Sequence, residues 1–594
     1  MTRLLSGNEA VARGAFEAGV KLAAAYPGTP STEILETIAD EYKSIYAEWS
    51  PNEKVAFEVG VGASLGGGRT LVAMKHVGVN VAADPLMTFA YTGVNAGFVL
   101  ISADDPEMHS SQNEQDNRIF AKFAQIPFLE PSDSQEAKDF IRIGLDISEE
   151  FDIPVMVRMT TRVSHSKGVV ELGEPVTVEK DQFDRNVRKY VMVPGHAKLR
   201  HTSLLERQAR LAEYVEKSPL NRIEENGSKV GIITGGISYQ YVKEVAPDLD
   251  VFKIGIGFPL PLKKIKEFVD RHEKILVVEE LEPYYEEIIR AAGMISVEGK
   301  KYTGREGELS PYRVATSLAK AGVVNKVDLA DYKPAQLFPR PPVLCPGCPH
   351  RGLFAVLKKL RLTVTGDIGC YTLGTLDPLQ SLHTCICMGA SIGNAIGMEK
   401  VNGSKQGIVA ILGDSTFLHS GITGLLDAVY NRANITIIIA DNRITAMTGG
   451  QQNPATGYTL MGKPTREVDF VKLAEALGAE SVRSVDPLNY EETQKVIKEE
   501  VERPGVSVVV TNRPCVLMPK RIMDTPYEVD LELCNGCSLC FRLGCPAIMP
   551  SKELNKRGKP KAEIDATLCT GCTLCAQVCK PEAIVIKETA GAAK

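Results

Sequence analysis

The chain has 594 residues, 44% of them apolar and 24% charged, with 68 basic against 74 acidic residues and a formal net charge of −6. That length holds roughly three to five domains at about 100–200 residues each, and the charge balance gives no footing to a nucleic acid or an anionic membrane surface. No apolar run reaches the roughly 18 residues of a membrane span, and the opening MTRLLSGNEAVARGAFEAGV has no signal-peptide core, so a cytoplasmic protein is expected.

In chain order, Asn8 is expected to cap a helix through GNEAVARGAFEAGVKLA. AAAYPGTPST reads as a strand, a Pro/Gly turn and the start of a helix. FEVGVGASLGGGRTLVAMKHVGVNVAADPLMTFAY reads as helix, glycine break and strand, and GFVLISADDP as a buried strand with its functional loop at the C-terminal end. This alternation predicts an α/β domain over 1–165. Residues 166–225 are polar, basic and patternless, and are expected to form a connection. KVGIITGGIS, DVFKIGIGFPLP and KILVVEELEPYYEE predict a smaller α/β domain over 226–335. A proline-rich boundary near 335–345 precedes a third α/β unit over 336–522 and a cysteine-rich tail over 523–594.

Of the 14 cysteines, eight lie between 534 and 579. In a reducing compartment such clustering points to metal ligands, not disulfides. The runs are Cys534-x2-Cys537-x2-Cys540-x4-Cys545-Pro546 and Cys569-x2-Cys572-x2-Cys575-x3-Cys579. Two-residue spacing lets three thiolates of one loop reach one face of a [4Fe–4S] cubane, and the fourth cysteine of each run ligates the other cluster. Cys534, Cys537, Cys540 and Cys579 are therefore expected on one cluster, and Cys569, Cys572, Cys575 and Cys545 on the other. The alternative is a pair of zinc sites, which favour separated CxxC pairs over triplets. The tail resembles bacterial two-cluster ferredoxin domains over 528–588. The extra residue before Cys545 departs from that pattern and is expected to alter the potential of the cluster Cys545 joins.

GIVAILGDSTFLHSGITGLLDAVYNRANITIIIADNRITA carries the second motif. One buried strand ends at Gly413-Asp414-Ser415 and the next at Asp441-Asn442. Both ends are expected at the same edge of a parallel sheet, where ligands of such folds bind. There Asp414 and Asn442 offer oxygens to magnesium, which takes six, some from substrate phosphates. A generic strand-end Asp and Asn is the alternative. With its spacing, the motif resembles the diphosphate signature of thiamine diphosphate (TPP) enzymes, with Ser415 in place of the usual second glycine. The resemblance implies the Ile444 carbonyl as third magnesium ligand, Gly413 and Ser415 against the diphosphate, and Met388 in a cofactor-facing loop. Cys385 and Cys387 are read as packed thiols.

TPP is activated by a carboxyl group on its aminopyrimidine ring, from another domain than the diphosphate site. Glu58, in KVAFEVGVGASLGGG, is the candidate; its apolar neighbours are expected to keep it dry and raise its pKa. A surface glutamate is the alternative. YPGTPSTEI, NEKVAFEVGVGAS, MKHVGVNVAADPL and SSQNEQDNR together resemble α subunits of indolepyruvate:ferredoxin oxidoreductases, within the 2-oxoacid:ferredoxin oxidoreductases, over nearly the whole chain. That resemblance implies Thr29 over the reacting carbon and a substrate loop at Ser110–Arg118. Arg118 is a candidate partner of the 2-oxoacid carboxylate or a structural arginine, and Lys75 and His76 are further candidates. It also implies a third cluster on Cys345, Cys348, Cys370 and Cys515, for which inert thiols or a zinc site are the alternatives.

The fold class so implied is multidomain α/β. It comprises two TPP-binding doubly wound parallel-sheet domains (pyrimidine-binding 1–165, diphosphate-binding 336–522), a smaller transketolase C-terminal-like domain and a two-cluster ferredoxin-like tail. The implied activity is TPP-dependent oxidative decarboxylation of aryl pyruvates (indolepyruvate, phenylpyruvate) to aryl-acetyl-CoA and CO2, with electrons leaving through [4Fe–4S] clusters. Implied partners are a smaller β subunit in a heterodimer or dimer of heterodimers, an external ferredoxin and coenzyme A. Rival readings are the same chemistry on pyruvate or another 2-oxoacid, a non-catalytic electron-transfer subunit, and non-oxidative decarboxylation.

Overall fold

A computed structural model describes every residue except 179–182, 184, 326–334, 336, 339, 403–406, 519–522 and 588–594. Parts of the expected connection, of the boundary near 335–345 and of the end of the third unit near 522 lie outside the described residues. The chain divides into two compact units, residues 1–337 and 338–594.

The first unit contains a seven-stranded sheet in the order Ile256–Phe258, Phe128–Leu129, Val155–Thr160, Phe98–Asp104, Thr70–Lys75, Leu22–Ala25, Tyr46–Trp49. All neighbours pair in parallel except the Ile256–Phe258 edge strand. The central Phe98–Asp104 strand is buried at every position, which is why its sequence is a continuous apolar run and not an alternation. A second sheet, Lys274–Val278, Val230–Gly235, Asp250–Ile254, Arg222–Glu224, is parallel but for its last strand.

The first helix is Gly7–Glu17, and its cap is Ser6, not Asn8. Ser6 Oγ accepts from Glu9 N–H at 3.2 Å while Glu9 Oε2 accepts from Ser6 N–H at 2.7 Å, a capping box. Asn8 is the second residue of the helix and is buried, donating to the Pro30 carbonyl at 2.7 Å and to Glu33 at 2.8 Å. The helix stops five residues before Leu22, with Gly19 at φ 72°, a conformation glycine adopts without strain. The stretch expected to be patternless holds a strand, Lys167–Glu171, and a 24-residue helix, Pro194–Lys217. That helix buries only Leu204, Arg207, Leu211 and Val215, a stripe too narrow to register as amphipathic in so charged a segment.

The second unit is built on a six-stranded, all-parallel sheet: Thr384–Cys385, Thr363–Gly366, Ile408–Gly413, Thr436–Asp441, Ser507–Asn512, Ser481–Val485. Alternate residues feed opposite cores. Val409, Ile411, Ile438 and Val509 pack with Leu353 and Phe354; Ala410, Leu412, Ile437, Ile439 and Val508 pack with Ile392 and Phe417. The tail adds two antiparallel ribbons, Tyr527–Val529 with Ile584–Ile586 and Ile548–Leu554 with Pro560–Ile564. Gln577 fastens it, accepting from Tyr490 N–H at 2.9 Å and donating to the Leu488 carbonyl at 2.8 Å. Among the described residues no helix is long and apolar enough to cross a membrane.

Candidate functional site

In the second unit, Gly413 lies opposite Ala440 in adjacent parallel strands, so Asp414 and Asn442 emerge at one sheet edge. Asp414 is 3% exposed, and burial, reinforced by Asp441, pushes its pKa up to about 7. Its Oδ2 accepts from Ile444 N–H at 3.1 Å and from Asn453 Nδ2 at 3.4 Å. Ile444 N–H also approaches Asn442 Oδ1 at 3.3 Å. Ser415 Oγ accepts from Thr445 Oγ1 at 3.0 Å. A buried carboxylate beside a side-chain amide oxygen is an all-oxygen donor set that fits a hard divalent cation. One strand over, buried Asp367 holds the loop carrying half-buried Met388: it accepts from the N–H groups of Gly389 at 2.8 Å and Ser391 at 3.2 Å. Burial pushes its pKa up to about 6.

Cys515 sits against the Asp441-Asn442 strand end, its N–H donating to the Asn442 carbonyl at 2.9 Å. Cys345, Cys348, Cys370 and Cys515 lie near one another: ionising Cys370 or Cys515 is disfavoured first by burial and then by Cys345 and Asp414, and ionising Cys348 by burial and then by Cys370 and Cys345. Burial pushes Cys348 up to about 12 and Cys370 up to about 11. Thiols so buried ionise only beside a compensating cation or metal.

Two partly open hollows lie in the tail, one of them shared with the Pro346–Gly347 turn. One is lined by Cys545, Cys569, Cys572 and Cys575 with Leu543 and Ile564. The other is lined by Cys534, Cys537, Cys540 and Cys579. The fourth cysteine of each run thus lines the cavity of the other run's triplet. Among the described residues no group of three or more His, Cys, Asp or Glu is arranged to hold a single metal ion. The sulfurs ring spaces instead, a geometry that fits a bulky inorganic core.

In the first unit, parallel strands bring the residues after Ala25, Lys75, Asp104 and Thr160 to one edge. Half-buried Lys75 donates to the Ser110 carbonyl at 2.5 Å, and Ser110 Oγ reaches the Thr29 carbonyl at 3.5 Å. A Cβ on Gly28 would meet Lys75 Cβ at 3.1 Å, so the YPGTP turn lies directly on the lysine. Burial lowers the Lys75 pKa to about 8, with Asp105 opposing. His76 is fully buried, its Nε2 3.3 Å from the Asn113 carbonyl, and burial lowers its pKa.

Two expectations are corrected here. Glu58 is not dry: its side chain is 45% exposed on the helix Glu53–Leu65 and pairs with Lys54 one turn back. Its apolar neighbours in sequence point to other faces of the helix. Arg118 does not face a substrate: it is 1% exposed and its guanidinium is consumed by Asp116 at 2.6 Å, Glu279 at 2.8 Å and the carbonyls of Glu280 and Glu282. That burial and pairing favour the structural alternative. The loop Ser110–Arg118 is accordingly split, exposed at Ser110, Gln112 and Asn113 and buried from Asp116 onward.

Residues 13–223 match the family model of the pyruvate flavodoxin/ferredoxin oxidoreductase thiamine-diphosphate-binding domain, and residues 367–511 that of the C-terminal TPP-binding domain of thiamine pyrophosphate enzymes. The indolepyruvate oxidoreductase subunit IorA of Archaeoglobus fulgidus is 42% identical over 576 residues, 92% of each chain. That of Pyrococcus horikoshii is 43% identical over 601 residues, 93% of each chain. The chain belongs to the indolepyruvate oxidoreductase IorA family. It is a TPP-dependent 2-oxoacid:ferredoxin oxidoreductase. The 2-oxoglutarate synthase subunit KorA of Methanothermobacter thermautotrophicus is more distant, 28% identical over 185 residues, 30% of this chain and 49% of its own.

Three residues of this IorA-family chain escaped the sequence reading. Asp367 follows a strand-end glycine as Asp414 does, so the same logic could have found it. Asn453 lies in a loop without periodicity or motif. Arg351 follows the CPGCPH run, and nothing in its spacing announces a role. In this chain the cysteine groups and the Asp414 edge belong to the second unit, and the candidates Thr29, Glu58, Lys75, His76 and Arg118 to the first.

Proposed function

We propose that this chain oxidatively decarboxylates an aryl 2-oxoacid, such as indolepyruvate or phenylpyruvate, to CO2 and the aryl-acetyl thioester of coenzyme A, passing electrons through three [4Fe–4S] clusters to ferredoxin. The observation that carries this reading is the hydrogen bond from Cys515 to Asn442. It holds Cys515, one of the four cysteines of the candidate third cluster, beside Asn442, which supports an electron acceptor next to the cofactor. The substrate class rests on the names of the relatives that align with more than nine-tenths of the chain.

TPP, when bound, supplies the carbanion that adds to the keto carbon and stores the electrons released with CO2. Asp414, Asn442 and the Ile444 carbonyl would hold the Mg2+ of its diphosphate, with Gly413 giving close approach and Ser415 offering a hydroxyl. A cation would offset the burial, and the nearby Asp441 charge, that raise the Asp414 pKa. Asp367 fixes the Met388 loop. Glu58 would hold a proton at the pyrimidine ring, giving up Lys54 to do so. Thr29 and Lys75 would meet the substrate. Cys345, Cys348, Cys370 and Cys515 would hold the iron–sulfur group nearest the diphosphate edge, and the two tail quartets the next two, each of which supplies a one-electron acceptor. Cys537 is exposed, which suits the group of Cys534, Cys537, Cys540 and Cys579 to face an external ferredoxin. A smaller β subunit and a cytoplasmic setting complete the reading.

The test is an anaerobic assay of the chain with its partner subunit. Indolepyruvate, phenylpyruvate, pyruvate and 2-oxoglutarate are compared with and without coenzyme A. Ferredoxin reduction that is fastest with the aryl acids and requires coenzyme A is expected. Preference for pyruvate would overturn the substrate class, and reduction unaffected by omitting coenzyme A would overturn the thioester product.

A further inference from the structure

Arg351 is 3% exposed near the start of the helix Pro349–Leu360. Its fork donates in two directions. Nε reaches the Cys345 carbonyl at 2.9 Å and Nη2 the Leu344 carbonyl, while Nη1 reaches the Leu543 carbonyl at 3.0 Å and the Gly544 carbonyl. All four acceptors are neutral, and among the described residues no carboxylate pairs with it. A buried guanidinium without an anion is costly, and arginine does not escape the cost by losing its proton. Burial lowers its pKa, and the groups that oppose this are the sulfurs of Cys545, Cys348, Cys345 and Cys572, which become negative only when ionised onto a metal. It also lines the cavity of Cys545, Cys569, Cys572 and Cys575 together with Pro346 and Gly347 of the CPGC turn.

The unusual four-residue spacing before Cys545 belongs to the same contact. Gly544, the last residue before that cysteine, takes φ 64° and turns its carbonyl and that of Leu543 toward the guanidinium. A Cβ on Gly544 would meet Pro378 Cδ at 2.7 Å and Arg351 Nη1 at 3.4 Å, so the turn is packed against both.

We propose that Arg351 is a positioning residue that clamps the Cys345/Cys348 turn to the Cys545 turn and serves as the shared counter-cation of the two cysteine groups, stabilising the reduced state of the clusters they hold. This rests on the reading that both groups carry [4Fe–4S] clusters. An electron crossing between them leaves one cluster one unit more positive and the other one unit more negative. A fixed cation between them favours whichever is reduced, and so raises both potentials relative to the outer group of Cys534, Cys537, Cys540 and Cys579.

The experiment uses the full chain with its partner subunit, purified anaerobically. Iron analysis of the wild type tests the underlying reading: about twelve irons correspond to three clusters at four each, and about eight would overturn that reading and the proposal with it. EPR-monitored redox titration then compares wild type, R351Q and R351K. In R351Q the expected result is two couples lowered by at least a tenfold change in their oxidised-to-reduced ratio, 59 mV for a one-electron couple, with the third unmoved. R351K, which keeps the charge, is expected to restore both. Full iron content with unshifted couples in R351Q overturns the proposal. Should R351Q lose iron, R351K decides: iron and wild-type potentials restored support the counter-cation, and a chain as depleted as R351Q overturns it.

Discussion

The N–H of Cys515 donates to the carbonyl of Asn442 at 2.9 Å. Cys515 follows the Ser507–Asn512 strand and Asn442 follows Thr436–Asp441; the two strands are parallel neighbours with Asp441 opposite Asn512. One backbone hydrogen bond at this sheet edge therefore ties a candidate cluster ligand to a candidate magnesium ligand. Removing the cysteine side chain leaves that bond intact, which allows the two roles to be separated.

Cys515→Ser is expected to remove about four of twelve irons while leaving Mg2+-dependent TPP binding unchanged. Iron analysis and isothermal titration calorimetry on the same preparation check both halves. Full retention of iron would take Cys515 out of the ligand set.

Asp414→Asn should do the reverse. The carboxylate is the charged member of the oxygen cluster, so the affinity for TPP with Mg2+ should fall by at least about a hundredfold, the upper end of what losing even a supporting residue costs a metal site. Iron content should stay at the wild-type level.

Glu58→Gln should abolish turnover without changing TPP affinity, iron content or thermal stability, because the exposed pair with Lys54 contributes little to the fold. Undiminished turnover would remove Glu58 from the mechanism.

Arg118→Met should act on folding. It leaves Asp116 and Glu279 buried without their cation, a loss of roughly 3–5 kcal/mol, read as a lower first unfolding transition. Arg118→Lys that folds normally and raises only the KM for the 2-oxoacid would return Arg118 to the substrate site.

Glu280 supplies a pH dependence. It is 3% exposed, and burial raises its pKa to about 7, against about 4.3 in an unfolded chain. Between those values the folded chain binds the extra proton, so stability from this residue is greatest below about pH 4 and falls as pH rises toward 7. Glu280→Gln should therefore raise the first transition at pH 8 more than at pH 5, by roughly 3 kcal/mol at most. A difference independent of pH would contradict the shift.

Some of this was legible in the chain alone because it depends on local spacing. Two-residue cysteine gaps place three sulfurs on one loop whatever surrounds them, and a strand ending in Gly-Asp places its acid at a sheet edge whatever the neighbouring domain. The parallel α/β character followed from continuous apolar runs such as Phe98–Ala103. The capping of the first helix was off by two residues, because Asn8 and Ser6 are both good caps and only the pairing of Ser6 with Glu9 decides between them.

What spacing cannot encode is whether a charged side chain already has partners. Glu58 and Arg118 were both chosen from sequence context. The fold turns Glu58 outward to Lys54 and sinks Arg118 among Asp116, Glu279 and two carbonyls more than 160 residues away. Arg351 is the converse: nothing in the sequence after CPGCPH marks it, and only the folding of the tail brings the Leu543 and Gly544 carbonyls to its fork. The sequence by itself determined which residue types stand at strand ends and cysteine loops. The tertiary structure decided which of its buried charges are balanced, because balance depends on atoms distant in the chain and close in space.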